Sequence, residues 1–213
     1  MAQSTDGRRP GGNIHMEAVA KDVYEWSHFS QEKQLDFNGH LIVAGERCLL
    51  VDPPPLSAED LTAIRRGAPI DAIVLTNRDH MREATTYRAL FRTKILAPEL
   101  DAPLMEIDVD GVFSHGDRLP GGLSVIHLPD GKSPGESALL LERNGGVLIL
   151  GDALIGKPPG SLNFLPPDKF ADMAKVRAGV TRLLDYDFDT VLVGDGASIM
   201  TGGKEAVKRA LSG

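Results

Sequence analysis

The stretch Ala72-Ile73-Val74-Leu75-Thr76-Asn77-Arg78-Asp79-His80 sets an apolar run directly before a polar turn that carries an aspartate and a histidine. Helix-prone residues follow it, Met81-Arg82-Glu83-Ala84, so the pattern predicts a strand over Ala72 to Leu75, a turn, and a helix over Arg82 to Phe91. Sheets of α/β proteins present their ligand-binding groups at such places, the carboxyl ends of strands. A plainer use competes with this one, because aspartate at a helix start also caps free backbone N–H groups. The two uses separate on whether other polar turns converge on the same edge.

Upstream, strands are expected at Tyr24 to Phe29, Phe37 to Ala44 and Cys48 to Val51, the last two joined as a hairpin through Gly45-Glu46-Arg47. Pro53-Pro54-Pro55 ends that pairing, since proline has no backbone donor. Ser57, with Asp60 three residues on, starts a capped helix that runs to Arg66. Downstream the pattern gives strand Lys94 to Ala97 and strands Leu123 to His127, Ser137 to Glu142 and Val147 to Leu150, the last two closed by Arg143-Asn144-Gly145-Gly146. Helix Asp168 to Leu184, strand Thr190 to Val193 and helix Lys204 to Leu211 finish the chain. Hairpins followed by helix and strand, twice over, predict an α/β fold of two mixed sheets packed face to face with helices outside. Residues 1–18 read as a polar tail and 19–213 as one domain.

Four predicted strands end in polar turns: Asn77 to His80, Asp130 to Gly135, Gly151-Asp152 and Gly194-Asp195-Gly196. In order and content these turns resemble the metallo-β-lactamase superfamily over roughly residues 20 to 213, which implies the four-layer αββα sandwich of that family. Its first turn, His-x-His-x-Asp-His, corresponds to Leu75 through His80, with both leading histidines replaced, by Leu75 and Asn77. Its second turn corresponds to His127-Leu128-Pro129-Asp130-Gly131-Lys132-Ser133-Pro134-Gly135, with Lys132 at the ligand histidine. Asp152 matches the family's bridging aspartate, and Asp195 stands where a histidine is usual. Asp52, closing the strand before the prolines, matches an acidic residue that supports the first turn.

The resemblance therefore implies a metal site that has lost its first position. Leu75 cannot coordinate, Asn77 is a weak neutral donor and Lys132 is a cation. Asp79, His80, Asp152 and Asp195 remain as a second-position set, one nitrogen with three carboxylates, suited to Mn²⁺, Fe²⁺ or Mg²⁺ and less to Zn²⁺. Two states are open: a single divalent cation, or none, with the Lys132 ammonium between Asp79 and Asp152 in place of the lost ion. In the first, a hydrolase acts on an ester, thioester, lactone or phosphodiester, with Asp79, His80 and Lys132 as catalytic candidates. In the second, a degraded, metal-free site binds a small anionic ligand. Asn77, Arg78 and Lys132 are the expected contacts to substrate or ligand. Phe164 and Leu165, after Lys157-Pro158-Pro159-Gly160, are expected to line the rim of this pocket.

Composition excludes several alternatives. A net charge of −7 over 213 residues argues against a broad nucleic-acid surface. No apolar run approaches the ~20 residues of a membrane span. The single cysteine, Cys48, rules out an intrachain disulfide and suits a cytoplasmic location. Gly151 to Lys157 spells most of a phosphate loop, but Pro158 lacks both the hydroxyl and the amide such a loop needs.

Overall fold

Alternating apolar and polar residues joined by tight turns build the first half of the chain as a meander. The computed structural model describes residues 16–213. Strands β1 (Glu17–Ala20), β2 (Val23–Ser30), β3 (Leu35–Ala44) and β4 (Arg47–Val51) pair antiparallel. Helix α1 (Ala58–Arg66) then crosses to β5 (Ile70–Val74), which lies parallel to β4. Ser57 caps α1 as expected, accepting from the Asp60 amide at 3.0 Å. Helix α2 (Ala84–Phe91) leads to β6 (Lys94–Pro98), and β7 (Gly111–Phe113) closes this seven-stranded sheet in simple sequence order.

A second sheet of five strands follows. It consists of β8 (Arg118–Leu119), β9 (Leu123–His127), β10 (Ser137–Leu141), β11 (Val147–Leu150) and β12 (Thr190–Val193). Only β12 is parallel to its neighbour, β11, so the carboxyl ends of those two strands share one edge. Helices α3 (Met173–Thr181) and α4 (Gly203–Ser212) complete the chain.

Burial divides the apolar residues into three layers. Ile42, Leu49, Val51 and Val74 of the first sheet meet Val125, Leu139, Ile149 and Leu192 of the second in a central core. On the outer face of the first sheet, Leu50, Ile73 and Ile95 pack with Ile64 of α1 and Tyr87 of α2. On the outer face of the second, Leu148, Leu150 and Val191 pack with Val180 of α3 and Val207 of α4. Strands buried on both faces explain the unbroken apolar runs at Ala72 to Leu75 and Val147 to Leu150. The result is the expected αββα sandwich.

Local differences have local causes. Glu17 and Ala18, expected in the tail, pair with β2 in β1, because the Lys21-Asp22 turn folds them back with Asp22 at φ 62°. Residues 1–15 of that tail lie outside the described residues. The helix expected from Arg82 begins at Ala84, since Arg82 holds a left-handed backbone at φ 38°. The helix expected over Asp168 to Leu184 is divided: Asp172 caps α3 through the Ala174 and Lys175 amides, and 3₁₀ turns lie on either side, at Pro167–Lys169 and Arg182–Asp185. Short strands β7 and β8 are too brief to leave a period in the sequence.

Candidate functional site

Five connections meet where the two sheets present one common edge. Asp52 follows β4, the turn Thr76–His80 follows β5, Lys132 lies between β9 and β10, Asp152 follows β11 and Asp195 follows β12. A backbone bond from the Ser137 amide to the Thr76 carbonyl, 3.0 Å, ties the two sheets together at this edge, and Asn38 to Gly194, 2.7 Å, does the same farther along.

Asp52 organises the floor. Fully buried, it accepts from the Thr76 amide at 2.8 Å and from the Thr76 hydroxyl at 2.5 Å, and its Oδ2 lies 2.8 Å from His80 Nδ1. That is the support for the first turn implied by the resemblance. The other ring nitrogen of His80, Nε2, faces Asp152 at 3.6 Å. Burial and the Arg82 charge press the His80 pKa down, but Asp52 and Asp152 outweigh them and raise it to about 10, so the ring is an imidazolium at neutral pH. Burial opposes ionisation of Asp52 and Asp152 in turn. The His80 charge, with Arg82 for Asp52 and Lys132 for Asp152, holds both below the usual carboxylate range.

Asn77 turns inward. Its carbonyl accepts from the Asp79 amide at 2.8 Å and caps the 3₁₀ turn Arg78–His80, so Asp79 is not itself the cap of a helix. Its amide donates to Glu136 at 3.0 Å and to Asp152 at 3.2 Å. With the residue fully buried, both polar ends of Asn77 are engaged within the site and neither faces a ligand.

Lys132 forms the outer layer. Its ammonium lies 3.1 Å from Asp79 and 3.0 Å from Asp152, a bridge between the two aspartates. Side-chain exposure falls from 39% at Asp79 and 30% at Lys132 to 3% at Asp152, so the bridge runs from solvent into the core. Burial lowers the lysine pKa, and Asp152 and Asp79 more than compensate to raise it.

Asp195 has a cation of its own. Arg82 Nη2 sits 2.9 Å from its carboxylate, and the same guanidinium donates to the carbonyls of Asn38, Asp52 and Gly194 at 2.5, 3.0 and 3.0 Å while resting 4.9 Å over the Phe37 ring. Five contacts explain why Arg82 tolerates a left-handed backbone. Burial nevertheless wins at Asp195 and raises its pKa, despite His80 and Arg82.

Two glycines are needed for this closeness. A Cβ at Gly151 would meet the Thr76 hydroxyl at 2.5 Å and the Asn77 amide at 2.7 Å, and one at Gly194 would meet the His80 ring at 2.5 Å. Each precedes a site aspartate, which accounts for the Gly-Asp pairs in the third and fourth turns.

Two carboxylates escaped the sequence reading. Glu136, fully buried, accepts from Asn77 and, at 2.9 Å, from the Asp152 amide. Burial and the Asp152 charge raise its pKa well above the ordinary value. The signal was available: the residue before an antiparallel strand sits at the same edge as the ends of its neighbours. Asp101, also fully buried, accepts from the Arg78 amide at 2.9 Å, the Ser133 hydroxyl at 2.6 Å and the Gly135 amide at 2.7 Å. It clamps the turn of Asp79 to the turn of Lys132, and nothing in the sequence around it announces this.

Of the expected second-position set, His80, Asp152 and Asp195 come together, with one ligand atom from each inside 4.8 Å of the others, a group able to hold a metal ion. Asp79 stands beside Lys132 outside that group. Arg78 is held at the rim through its backbone amide. Phe164 and Leu165 do not line this site. Paired bonds between Ile155 and Asn163, 2.8 and 2.9 Å, turn the loop away, and Phe164 packs beneath Arg177 on the α3 and α4 side.

A sequence profile described as the metallo-beta-lactamase superfamily matches residues 15–212. The chain belongs to that superfamily. Several solved metallo-beta-lactamases share its fold at low identity. The enzyme from Pontibacter korlensis is 16% identical with a TM-score of 0.77, over 94% of this chain and 98% of that one. DIM-1 metallo-beta-lactamase is 15% identical with a TM-score of 0.76, over 94% and 98%. FIM-1 from Pseudomonas aeruginosa, solved in a mono-zinc form, is 14% identical with a TM-score of 0.72, over 94% and 97%. A sequence search of curated proteins finds no match. Within this superfamily member, no helix among the described residues is long and apolar enough to cross a membrane.

Proposed function

We propose that this protein is a metallo-β-lactamase-fold, hydrolase-like protein whose site works without a metal and binds a small anionic ligand at its rim. The Lys132 bridge carries this proposal: the ammonium lies 3.1 and 3.0 Å from Asp79 and Asp152, where a ligand of the first metal would stand in the family. The carboxylates of a metal site need a cation between them. Here Lys132, Arg82 and the His80 imidazolium supply three, facing Asp52, Asp79, Asp152 and Asp195. These surroundings do not suit a divalent ion. Such an ion has to expel a proton from His80 and displace Lys132 and Arg82 from the oxygens it would use. The rim contacts fall to Lys132 and Arg78, because the Asn77 amide is committed inside. The single free thiol, buried Cys48, fits a cytoplasmic protein, and the acidic charge fits one without nucleic-acid partners.

Elemental analysis of the purified protein, with calorimetric titration by Mn²⁺, Fe²⁺, Mg²⁺ and Zn²⁺ at neutral pH, tests this. The expected result is no stoichiometric ion and no saturable heat. One bound or bindable equivalent overturns it. A second function rests on the compact group His80, Asp152 and Asp195: a mononuclear metal-dependent hydrolase of an ester, thioester, lactone or phosphodiester. The same titration decides between them.

A further inference from the structure

On the far side of the second sheet, away from the carboxylate site, the loop after β11 leaves a cavity against α3 and α4. It measures about 530 Å³, and Phe164, Leu165, Met173 and Ala210 form its apolar wall, with Arg177 and Arg209 among the lining residues. That volume lies within the range of about 300 to 1,000 Å³ typical of small-molecule pockets, which combine an apolar wall with a few placed polar groups.

The cavity's charged side chains are the two arginines, and Gly213 also lines it. No aspartate or glutamate side chain lines the cavity, although the chain as a whole carries −7. Arg177 is fixed by non-ionic partners: Nη1 donates to the carbonyls of Ala210 and Leu211 at 3.3 and 3.0 Å, and the guanidinium lies 4.9 Å over the Phe164 ring. It thereby offsets the negative end of α4 and stiffens the wall. Arg209 is exposed, and the acidic residue one turn before it, Glu205, is bonded to Lys208 at 2.6 Å. Among the described residues neither arginine lies in an ion pair. A preorganised apolar wall with an exposed guanidinium at its mouth, near Glu205 but in no ion pair with it, is complementary to a molecule with an apolar body and one anionic end.

We propose that this cavity is a second binding site, for a small amphiphile with a single anionic head, of the class of medium-chain carboxylates. The head pairs with Arg209, and the tail lies on Phe164, Leu165 and Met173. This site goes beyond the function proposed above and shares no residue with it.

Titration of the isotope-labelled full chain with octanoate, followed by amide NMR shifts, tests the proposal. Saturable shifts are expected in residues 161–167, 173–177 and 206–210, with octanol binding about tenfold more weakly and acetate not at all, as the loss of one charge-assisted contact implies. Arg209→Glu, at an exposed position, should weaken octanoate by about tenfold or more. Leu165→Ser should weaken it while leaving the fold intact, and Lys132→Ala should leave it unchanged. Absence of saturable shifts in these segments, equal binding of octanol and octanoate, or full affinity in Arg209→Glu overturns the proposal. None of those results bears on the Lys132 bridge.

Discussion

Replacing Lys132 by alanine tests the site most directly, because the consequences of losing its ammonium are unequal on its two sides. Asp79 is 39% exposed and is rehydrated when the lysine leaves, so that arm contributes at most about 1 kcal/mol, as surface pairs do. Asp152 is 3% exposed and cannot be rehydrated. Removing one partner of a buried pair costs about 3 to 5 kcal/mol when nothing else compensates. Here the Asn77 amide at 3.2 Å and the His80 ring at 3.6 Å still face Asp152, and Lys132 itself is 30% exposed. The expected loss is therefore about 2 kcal/mol at pH 7, which at a urea m-value of about 2 kcal/mol/M moves the midpoint down by about 1 M. Urea denaturation followed by circular dichroism measures it. The same variant leaves Asp79 and Asp152 without their shared cation, so calorimetry with Mn²⁺ or Zn²⁺ should show tighter binding than in wild type. A midpoint within ~0.2 M of wild type, together with unaltered metal affinity, would refute the view that the lysine stands in for an ion.

Three further outcomes follow from the same geometry. Arg82→Lys keeps the charge but cannot reach four acceptors with a planar fork, and should cost about 2 kcal/mol or more in urea denaturation, against a near-neutral result if charge alone mattered. Because the folded pKa of His80 is raised to about 10, its pairing stabilises the fold fully below about pH 6.5 and is lost as pH rises through 10, so stability should decline over that window and the ring should remain protonated at pH 8 by nitrogen NMR. Asp101→Ala strands three buried donors, at Arg78, Ser133 and Gly135, and should lower stability by about 3 kcal/mol, with Asp101→Asn recovering part of the loss.

The sandwich was legible in the sequence because its strands are long apolar runs and its turns carry Gly, Pro, Asn and Asp at fixed places. β7 and β8, three and two residues long, were not, since neither spans a full period of alternation. At the site, the polar turns that follow β4, β5, β9, β11 and β12 were found, and the Lys132 bridge could be anticipated because a lysine stands where the resemblance expects a ligand histidine. Glu136 and Asp101 were hidden for different reasons. Glu136 precedes its strand, so a search restricted to strand ends passes over it. Asp101 lies between the end of β6 and a 3₁₀ turn, Ala102–Leu104, a placement in the site that depends on tertiary packing alone. Arg82 was read as the start of a helix, because its left-handed backbone is imposed by the carbonyls it serves.

That last residue bears on the proposed loss of the first metal position. A single substitution of lysine for histidine would leave a buried cation beside a metal, and two unit charges about 4 Å apart in an effective dielectric of about 20 interact by about 4 kcal/mol, doubled for a dication. Such an intermediate is penalised whichever replacement came first. In this chain Arg82 answers Asp195 at 2.9 Å, Lys132 answers Asp152 at 3.0 Å, and His80 lies between Asp52 and Asp152 as an imidazolium. Each carboxylate of the site other than Asp101 and the protonated-leaning Glu136 thus has a partner charge supplied by the chain, in the loop geometry that the fold uses to gather ligands. The three cations act together: removing any of them takes a charge partner from a buried carboxylate, and adding a metal requires two of them to move. The tightest metal binding is therefore expected when Lys132 and Arg82 are both replaced, and a double variant that binds Mn²⁺ no better than Lys132→Ala would show that the two cations do not act together.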